Sequence, residues 1–183
     1  FMDLGRLSLA GSGGYGIMYG PSLASHFPAG NIRFVADADQ SERYGSDPLI
    51  CNGSACPFKF IPFGTEDPAD LVIFSTDPQE LGSVIRRIGT QIGKNTVILT
   101  LGEDESSRDA LSRAFGNERV ICGSVRGTDV SCTGGKVTYT DVGFLRFSSY
   151  NGQFSDFTDA LTSFLDSVGF AYYMTGRAIQ SDR

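Results

Sequence analysis

The sequence predicts an α/β fold with a doubly wound, mostly parallel sheet and an antiparallel extension. First, strand-like segments alternate with segments of helical periodicity along most of the chain, which is typical of a parallel sheet with crossover helices. Second, the segments DLVIFS and TVILTL are almost continuously apolar, as expected of strands that are covered on both faces. Third, the 183 residues, 40% of them hydrophobic, suffice for one well-buried core.

The N-terminal segment predicts a βαβ unit of about the usual 30 residues. A short strand over residues 6–10 runs into a group of glycines, and helical periodicity follows over residues 14–27. Pro21 lies inside this pattern, so we expect a kinked or irregular helix there. A second strand over residues 31–36 ends at Asp37.

The middle of the chain continues the alternation of strands and helices. Asn52 and Gly53 separate two apolar runs within residues 49–61, which predicts a β-hairpin. The further expected elements are a strand over 70–75, a helix over 78–92, a strand over 96–101, a helix through Leu111 and Phe115, and a strand over 120–125.

The last third of the chain predicts the antiparallel extension. Residues 136–140 and 143–147 are expected to form an antiparallel pair that turns at Asp141 and Val142. An amphipathic helix with its apolar stripe between 154 and 168 should end at Gly169, and a short strand over 170–173 should follow. These elements together predict one domain over residues 1–175.

The stretch RLSLAGSGGYG raises the central functional question, because Gly11, Gly13 and Gly16 have the G-x-G-x-x-G spacing. The motif lies after a strand, opens a helix and belongs to a βαβ unit, which is the context that Rossmann-like dinucleotide sites require. We expect the backbone of residues 11–16 to bind a diphosphate at the helix N-terminus. The alternative is a structural turn without a ligand. The predicted cofactor-binding residues here are Gly11, Ser12, Gly13, Gly14, Tyr15 and Gly16.

Two residues after the second strand bear on the choice of cofactor. Asp37 stands where an acidic residue usually accepts hydrogen bonds from the ribose hydroxyls of NAD. Arg43 lies six residues later and could contact the 2′-phosphate of NADP. The alternatives are a solvated loop for the carboxylate and a surface charge for the arginine. The chemistry of the residues leaves NADP and NAD open.

Composition excludes several other classes of protein. A net charge of −6 argues against nucleic acid or an anionic membrane as partner. No apolar run approaches the roughly 18 residues that would span a bilayer. The four cysteines form no C-x-x-C pair and there is one histidine, so we expect no metal site and interpret the cysteines as reduced, mostly buried residues of a cytoplasmic protein.

Several stretches together resemble the N-terminal part of the ketopantoate reductases (2-dehydropantoate 2-reductases). They are GSGGYGIMYGPSLA, FVADADQSERYGSD with the ICNG hairpin, ADLVIFS, NTVILTLG, and GNERVICGSV followed by GGKVTYTDVGFLRF. The resemblance implies NADPH as hydride donor to a 2-oxo acid, ketopantoate, in the synthesis of vitamin B5. It also implies that Ser75, Thr76, Gly102 and Glu103, at two strand ends, line the cofactor site. The resemblance further implies that residues 1–175 are the dinucleotide-binding domain and that residues 176–183 begin a helical C-terminal domain that is missing here. The family's catalytic lysine and substrate-binding acid lie in that C-terminal domain, so we expect no catalytic residue in this piece and binding without turnover.

The sequence departs from the family at two pairs of positions near the expected cleft. Thr76 and Asp77 stand where the family usually has Val-Lys, and Glu103 and Asp104 where it usually has Asn-Gly. These carboxylates would repel an anionic substrate and the cofactor phosphates. The alternative for both clusters is a helix N-terminus, with a capping residue or a favourable charge.

Three functions follow from these observations. The first is the cofactor domain of a ketopantoate-reductase-like oxidoreductase. The second is a catalytically inactive module that binds a nicotinamide nucleotide. The third is a reductase of a different 2-oxo acid.

Overall fold

An eight-stranded sheet forms the centre of the computed structural model, which describes residues 4–28, 30–102, 104–149 and 155–175. The strands in chain order are β1 (Leu7–Ala10), β2 (Ile32–Ala36), β3 (Ile50–Cys51), β4 (Ser54–Ala55), β5 (Lys59–Pro62), β6 (Ala69–Phe74), β7 (Ile92–Leu101), β8 (Val120–Arg126), β9 (Ser131–Thr133), β10 (Lys136–Thr138), β11 (Phe144–Ser149) and β12 (Tyr172–Met174). The helices are α1 (Gly14–Leu23), α2 (Ala38–Ser46), α3 (Pro78–Arg87), α4 (Glu105–Phe115) and α5 (Asp156–Val168).

The main sheet has the strand order β12-β11-β8-β7-β6-β1-β2-β5. The six strands from β8 to β5 are parallel, while β11 is antiparallel to β8 and β12 is parallel to β11. This arrangement confirms the predicted Rossmann-like, doubly wound and mostly parallel sheet with an antiparallel extension. A separate small sheet has the order β4-β3-β10-β9.

Apolar side chains cover both faces of the parallel strands. One core contains residues of α1, α5 and the small sheet, and the other contains residues of α3 and α4. The strand β6 contributes alternately to the two cores, Leu71 and Ile73 to the first and Val72 and Phe74 to the second. This two-sided burial explains why the sequence of the strand is apolar without alternation.

The first helix is shorter than its apolar pattern predicted. It ends at Leu23, and a 3₁₀ turn over Ala24–His26 follows, in which the amide of Ala24 donates to the carbonyl of Pro21. Proline has no amide hydrogen to continue the helical hydrogen bonding, so an irregularity close to it was expected. The final helix is confirmed: the Ser155 hydroxyl accepts from the amide of Phe157 at its start, and Gly169 ends it with a φ of 68°.

The predicted pairing of residues 136–140 with 143–147 is wrong. Strand β10 pairs instead with β9, through a turn at Gly134 and Gly135, both of which have positive φ. Strand β11 joins the main sheet beside β8. Two consecutive residues at positive φ form the tight hairpin turn that matches the twist of the strands, so the Gly-Gly pair was the stronger turn signal.

The interpretation of all four cysteines as reduced is also wrong. Cys51 and Cys56 form a disulfide that closes the β3-β4 hairpin, whose turn is Asn52-Gly53 as predicted. Cys122 is a buried free thiol and Cys132 an exposed one. Because the hairpin brings residues 51 and 56 together after only five residues, proximity rather than compartment favours this bond.

Candidate functional site

The carboxyl ends of the parallel strands lie along one edge of the main sheet, where ligands of doubly wound folds bind. The glycine loop (residues 11–16) follows β1, Asp37 follows β2, Ser75 and Thr76 follow β6, and Gly102 follows β7. The chain order reverses at β1, which lies between β2 and β6. The glycine loop therefore stands at the point where such folds open a crevice. Glu103, the remaining predicted site residue, lies outside the described residues.

The three motif glycines have no room for a side chain on the side of β6. A Cβ on Gly11, which has a φ of +98°, would lie 2.6 Å from Thr76 Cγ2, and one on Gly13 would lie 2.8 Å from the carbonyl oxygen of Ser75. A Cβ on Gly16 would lie 2.7 Å from Ser75 Cβ. Close packing of the loop and α1 against the end of β6 thus requires glycine at each position.

Hydrogen bonds fix the glycine loop to the same strand end. The amide of Gly13 donates to the carbonyl of Ser75 at 2.9 Å, and the amide of Ser75 donates to that of Ala10 at 2.8 Å. Within the described parts of the chain, the amides of Ser12, Gly14 and Tyr15 have no protein acceptor. Amides that open a helix in this way carry the positive end of its dipole and can hold an anion.

Asp37 and Arg43 lie at the two ends of α2, where Asp37 caps the helix and Arg43 lines a cavity. Asp37 is the N-cap: its carboxylate accepts from the amide of Gln40 at 2.9 Å, and its other oxygen lies 3.9 Å from a guanidinium nitrogen of Arg87. Arg43, in the last turn, lines a cavity of about 400 Å³ together with Ser12 of the glycine loop. That cavity also contains Asp47 and the exposed thiol of Cys132.

Asp77 and Asp104 each lie at the N-terminus of a helix, which is the alternative that the sequence offered for the two acidic clusters. Asp77 is the N-cap of α3, and its amide donates to the side chain of Glu80 at 3.3 Å. Asp104 is the N-cap of α4, where the hydroxyls of Ser106 and Ser107 and the amide of Ser107 donate to it. These hydrogen bonds, with that from Ser106 the largest cause, lower the pKa of the Asp104 carboxyl.

A second cavity, of about 350 Å³, lies where the end of β8 adjoins the glycine loop. Tyr15 of the loop lines it with Gly102, Ser124 and Arg126. No pattern in the sequence indicated Ser124 or Arg126 as site residues. Both residues lie at the end of a buried strand, and a position at the end of a strand is also what indicated Asp37. The strand over residues 120–125 was predicted, so its end could have been considered in the same way.

Cys132 is another neighbour of the glycine loop that the sequence did not indicate. A Cβ on Gly14 would lie 3.0 Å from Cys132 Cβ, so the thiol-bearing strand β9 adjoins the start of α1. The contact between Cys132 and the glycine loop depends on the pairing of β9 with β10 in the small sheet, and this pairing was predicted incorrectly from the sequence.

The described residues contain neither a candidate metal site nor a candidate membrane span. Over the ranges 4–28, 30–102, 104–149 and 155–175, no group of three or more His, Cys, Asp or Glu side chains could hold a metal ion. No helix among these residues is long and apolar enough to cross a bilayer.

Comparison with solved structures places this fold among known dehydrogenases and reductases. A 2-dehydropantoate 2-reductase from Geobacter metallireducens GS-15 is 21% identical, with a TM-score of 0.75 over 93% of this chain and 58% of its own. A 2-dehydropantoate 2-reductase from Porphyromonas gingivalis W83 is 18% identical, with a TM-score of 0.70 over 94% of this chain and 64% of its own. D-mandelate dehydrogenase in complex with NADH and anilino(oxo)acetate is 20% identical, with a TM-score of 0.73 over 93% of this chain and 56% of its own.

The chain thus spans less than two thirds of the length of these relatives. A search of the curated proteins finds no match. The family model described as "Ketopantoate reductase PanE/ApbA" matches residues 8–152. Since this match covers most of the sequence, the chain belongs to the ketopantoate reductase PanE/ApbA family.

Proposed function

We propose that this chain is the NADP(H)-binding domain of an oxidoreductase that reduces a 2-oxo acid, ketopantoate being the substrate after which the family is named. The observation that carries the proposal is the set of amides of Ser12, Gly14 and Tyr15, which have no protein acceptor within the described residues and open α1 at the switch point of the sheet. A diphosphate bound there would accept hydrogen bonds from these amides. The relatives' own cofactors support the same class of ligand, since D-mandelate dehydrogenase was solved with NADH.

In this proposal the chain's residues bind and orient the cofactor. The glycine loop holds the diphosphate, the cavity lined by Arg43 and Ser12 receives the adenosine end, and the cavity lined by Tyr15 and Gly102 receives the nicotinamide end. The cofactor, when bound, supplies a hydride for the keto carbon. A proton added to the keto oxygen completes a 2-hydroxy acid. We propose turnover only for a longer protein that contains this domain, since the relatives are longer than this chain.

We propose NADP rather than NAD on the basis of Arg43 and Asp37. The Asp37 carboxylate is engaged by the amide of Gln40 and faces Arg87, so it is less available for the ribose hydroxyls. Arg43 lines the cavity next to Ser12 and offers a guanidinium to a 2′-phosphate. Asp47 lines the same cavity, and its negative charge would oppose the phosphate.

Replacement of Arg43 tests the choice of cofactor. We expect Arg43→Gln to weaken NADPH binding by about 10- to 150-fold, which corresponds to the loss of one charge-assisted hydrogen bond of about 1.5–3 kcal/mol, and to leave NADH binding unchanged. The measurement is titration with each nucleotide, followed by nicotinamide fluorescence. Arg86→Gln, at an exposed position of α3, is the control for the change in net charge. Equal losses for NADPH and NADH would contradict the role given to Arg43.

A second candidate function is a non-catalytic module that binds a nicotinamide nucleotide. It is favoured by Asp77, an exposed N-cap carboxylate at the position where the family usually has lysine. The two candidates differ in one experiment: a longer protein that contains this domain is mixed with NADPH and ketopantoate, and loss of nicotinamide absorbance is followed. Oxidation of NADPH supports the reductase, whereas saturable binding without oxidation supports the module. If neither NADPH nor NADH binds this chain saturably, both candidates fail.

A further inference from the structure

We propose that Arg87 is a specificity-determining residue of the cofactor site: it offsets the charge of Asp37 and binds the 2′-phosphate of an NADP-type dinucleotide. This inference rests on the proposed function and deepens it, because it adds to Arg43 a second arginine from a different helix. It also gives the carboxylate at the end of β2 a role in the choice of cofactor.

Strand pairing fixes the place where the two nucleotides differ. Ala36, the last residue of β2, pairs with Pro62, the last residue of β5, so Asp37 and Phe63 leave the sheet side by side at its carboxyl edge. In dinucleotide-binding folds an acidic residue at the end of this second strand hydrogen-bonds the ribose 2′-hydroxyl. The additional phosphate of NADP is therefore expected beside the Asp37 carboxylate.

Arg87, the last residue of α3, reaches this point from the other face of the sheet. One of its guanidinium nitrogens lies 3.9 Å from a carboxylate oxygen of Asp37, and its guanidinium carbon lies 4.1 Å from the centre of the Phe63 ring. Its Nε donates to the carbonyl of Ser83 at 3.3 Å. The ion pair, the cation–π contact and the hydrogen bond together hold the guanidinium at the end of β2.

The guanidinium of Arg87 can still bind an anion in this position. Within the described part of the chain its two terminal nitrogens donate no hydrogen bond, since 3.9 Å is too long for one. The side chains of Arg87 and Asp37 are 41% and 42% exposed, so a ligand can reach both of them. The planar fork of N–H groups on arginine matches the oxygen atoms of a phosphate.

The charge of Asp37 gives Arg87 its effect on specificity. A carboxylate beside the 2′ position repels a phosphate and accepts hydrogen bonds from ribose hydroxyls, so on its own Asp37 favours NAD. Arg87 offsets this negative charge and offers a positive group to the phosphate at the same point. Because an exposed ion pair stabilises a fold very little, the effect of Arg87 is expected in the choice of nucleotide rather than in folding.

Arg87 and Arg43 act from opposite faces of the sheet and in different ways. Helix α2, which carries Arg43, packs on the first core through Tyr44, whereas α3 packs on the second core. The ion pair with Asp37 is formed by Arg87 and not by Arg43, whose guanidinium lies 5.6 Å from the centre of the Tyr44 ring. Loss of Arg43 should therefore affect NADPH alone, whereas loss of Arg87 should affect NADPH and NADH in opposite directions.

Replacement of Arg87 by glutamine tests the inference through fluorescence titrations with NADPH and NADH. We expect Arg87→Gln to weaken NADPH binding about 10-fold or more, because a charge-assisted contact to the phosphate is lost. NADH should bind about 2- to 5-fold more tightly, because the released Asp37 carboxylate can accept from the ribose hydroxyls. Arg87→Lys, which keeps the charge, should retain part of the NADPH affinity.

Calorimetric titration with adenosine 2′,5′-bisphosphate and with adenosine 5′-monophosphate isolates the 2′-phosphate from the nicotinamide. Arg87→Gln should weaken binding of the bisphosphate and leave the monophosphate bound at least as tightly as by the natural chain. Equal effects on these two ligands would contradict a contact between Arg87 and the 2′-phosphate.

A second substitution separates compensation of Asp37 from a structural role of Arg87. Asp37→Asn in the Arg87→Gln background removes the carboxylate and keeps a side chain that caps helices as well as aspartate does. In this double variant NADPH binding should recover in part and the gain in NADH binding should disappear. A structural role of Arg87 would lower the affinity for both nucleotides and would not respond to Asp37→Asn.

Arg86→Gln is the matched control, because Arg86 is the exposed neighbour of Arg87 on α3 and forms no ion pair with a described residue. It should leave the ratio of NADPH to NADH affinity unchanged. The inference is overturned, and the proposed function retained, if Arg87→Gln leaves this ratio unchanged or if Arg86→Gln alters it equally. If the natural chain binds neither nucleotide saturably, the inference and the proposed function fail together.

Discussion

Gly13 is a position in the glycine loop where the backbone is unstrained and yet a side chain has no room. Its φ is −65°, which any residue can adopt, but a Cβ would lie 2.8 Å from the carbonyl oxygen of Ser75 and closer still to the Ser75 hydroxyl. Both contacts are shorter than van der Waals packing allows, and the carbonyl belongs to the rigid end of β6. The restriction therefore comes from packing rather than from backbone conformation.

We expect Gly13→Ala to lower the free energy of unfolding by about 1–3 kcal/mol, the usual cost of overpacking. Urea denaturation gives this value, and the NADPH titration should show weaker binding in the same variant because the loop must move away from Ser75. Gly89→Ala is the control, since a Cβ there meets nothing within 4 Å. Unchanged stability of Gly13→Ala would mean that the loop is not held against β6.

Individual site residues could be predicted from the sequence only where a local pattern identifies them. The spacing of Gly11, Gly13 and Gly16 did so, and the close packing expected at Gly16 is present against Ser75. Arg126 carries no such local pattern, because its relevance depends on the pairing of β8 with β7 and β11. The residues next to Arg126 in the sequence do not indicate this long-range pairing of strands.

At the scale of elements, apolar composition was the reliable signal. The strands β6 and β7 were predicted because each is covered on both faces, and α5 was predicted because its apolar stripe faces one core. Helix α2 has no buried residue, and so it offered no periodic pattern. The pairing of β9 with β10 was missed because the Asp141-Val142 turn was preferred to Gly134-Gly135.

Arg33 shows why a buried charge within a strand is hard to anticipate. It lies 3% exposed in β2, where it donates to Asp67 at 3.1 Å and to the side-chain oxygen of Gln91 at 2.9 Å. Gln91 also accepts from Ser8, at 3.0 Å. These partners are 34 and 58 residues away in sequence, and they accept from the terminal nitrogens of a group that local patterning would place at the surface, while its buried Nε has no acceptor among the described residues.

The β3-β4 hairpin is the element whose stability depends on a covalent bond. Cys51 and Cys56 close a loop of only a few residues, for which the chain-entropy model gives about 2 kcal/mol of stabilisation. We expect the double variant Cys51→Ala, Cys56→Ala to lower the free energy of unfolding by about that amount under non-reducing conditions. Added dithiothreitol should lower the stability of the natural chain and leave that of the variant unchanged. An equal response of both proteins would show that the disulfide contributes nothing.

Over the whole molecule, negative charge is in excess and positive charge is concentrated. The net charge is −6, while Arg108, Arg126 and Arg146 line one cavity.

The response of the whole fold to acid follows from carboxylates whose pKa is lowered in the native state. A hydrogen bond from the Thr140 hydroxyl, together with those from the amides of Asp141 and Thr140 at 2.9 Å, lowers the pKa of Asp129 to about 2. The pKa of Asp67 is also lowered, chiefly by its hydrogen bond from Arg6. In the unfolded chain both carboxyls would titrate near about 3.9.

A lowered native pKa stabilises the fold above the unfolded pKa and ceases to do so as the pH falls through the native value. We therefore expect the urea midpoint to fall between about pH 4 and pH 2. In Asp129→Asn the midpoint should be lower at neutral pH and its decrease over this window smaller, because the substituted amide does not titrate. Asp166→Asn, at an exposed position near the end of α5, serves as the comparison and should follow the natural chain. An Asp129→Asn profile parallel to that of the natural chain would show that the hydrogen bonds from Thr140 and Asp141 do not stabilise the ionised carboxylate.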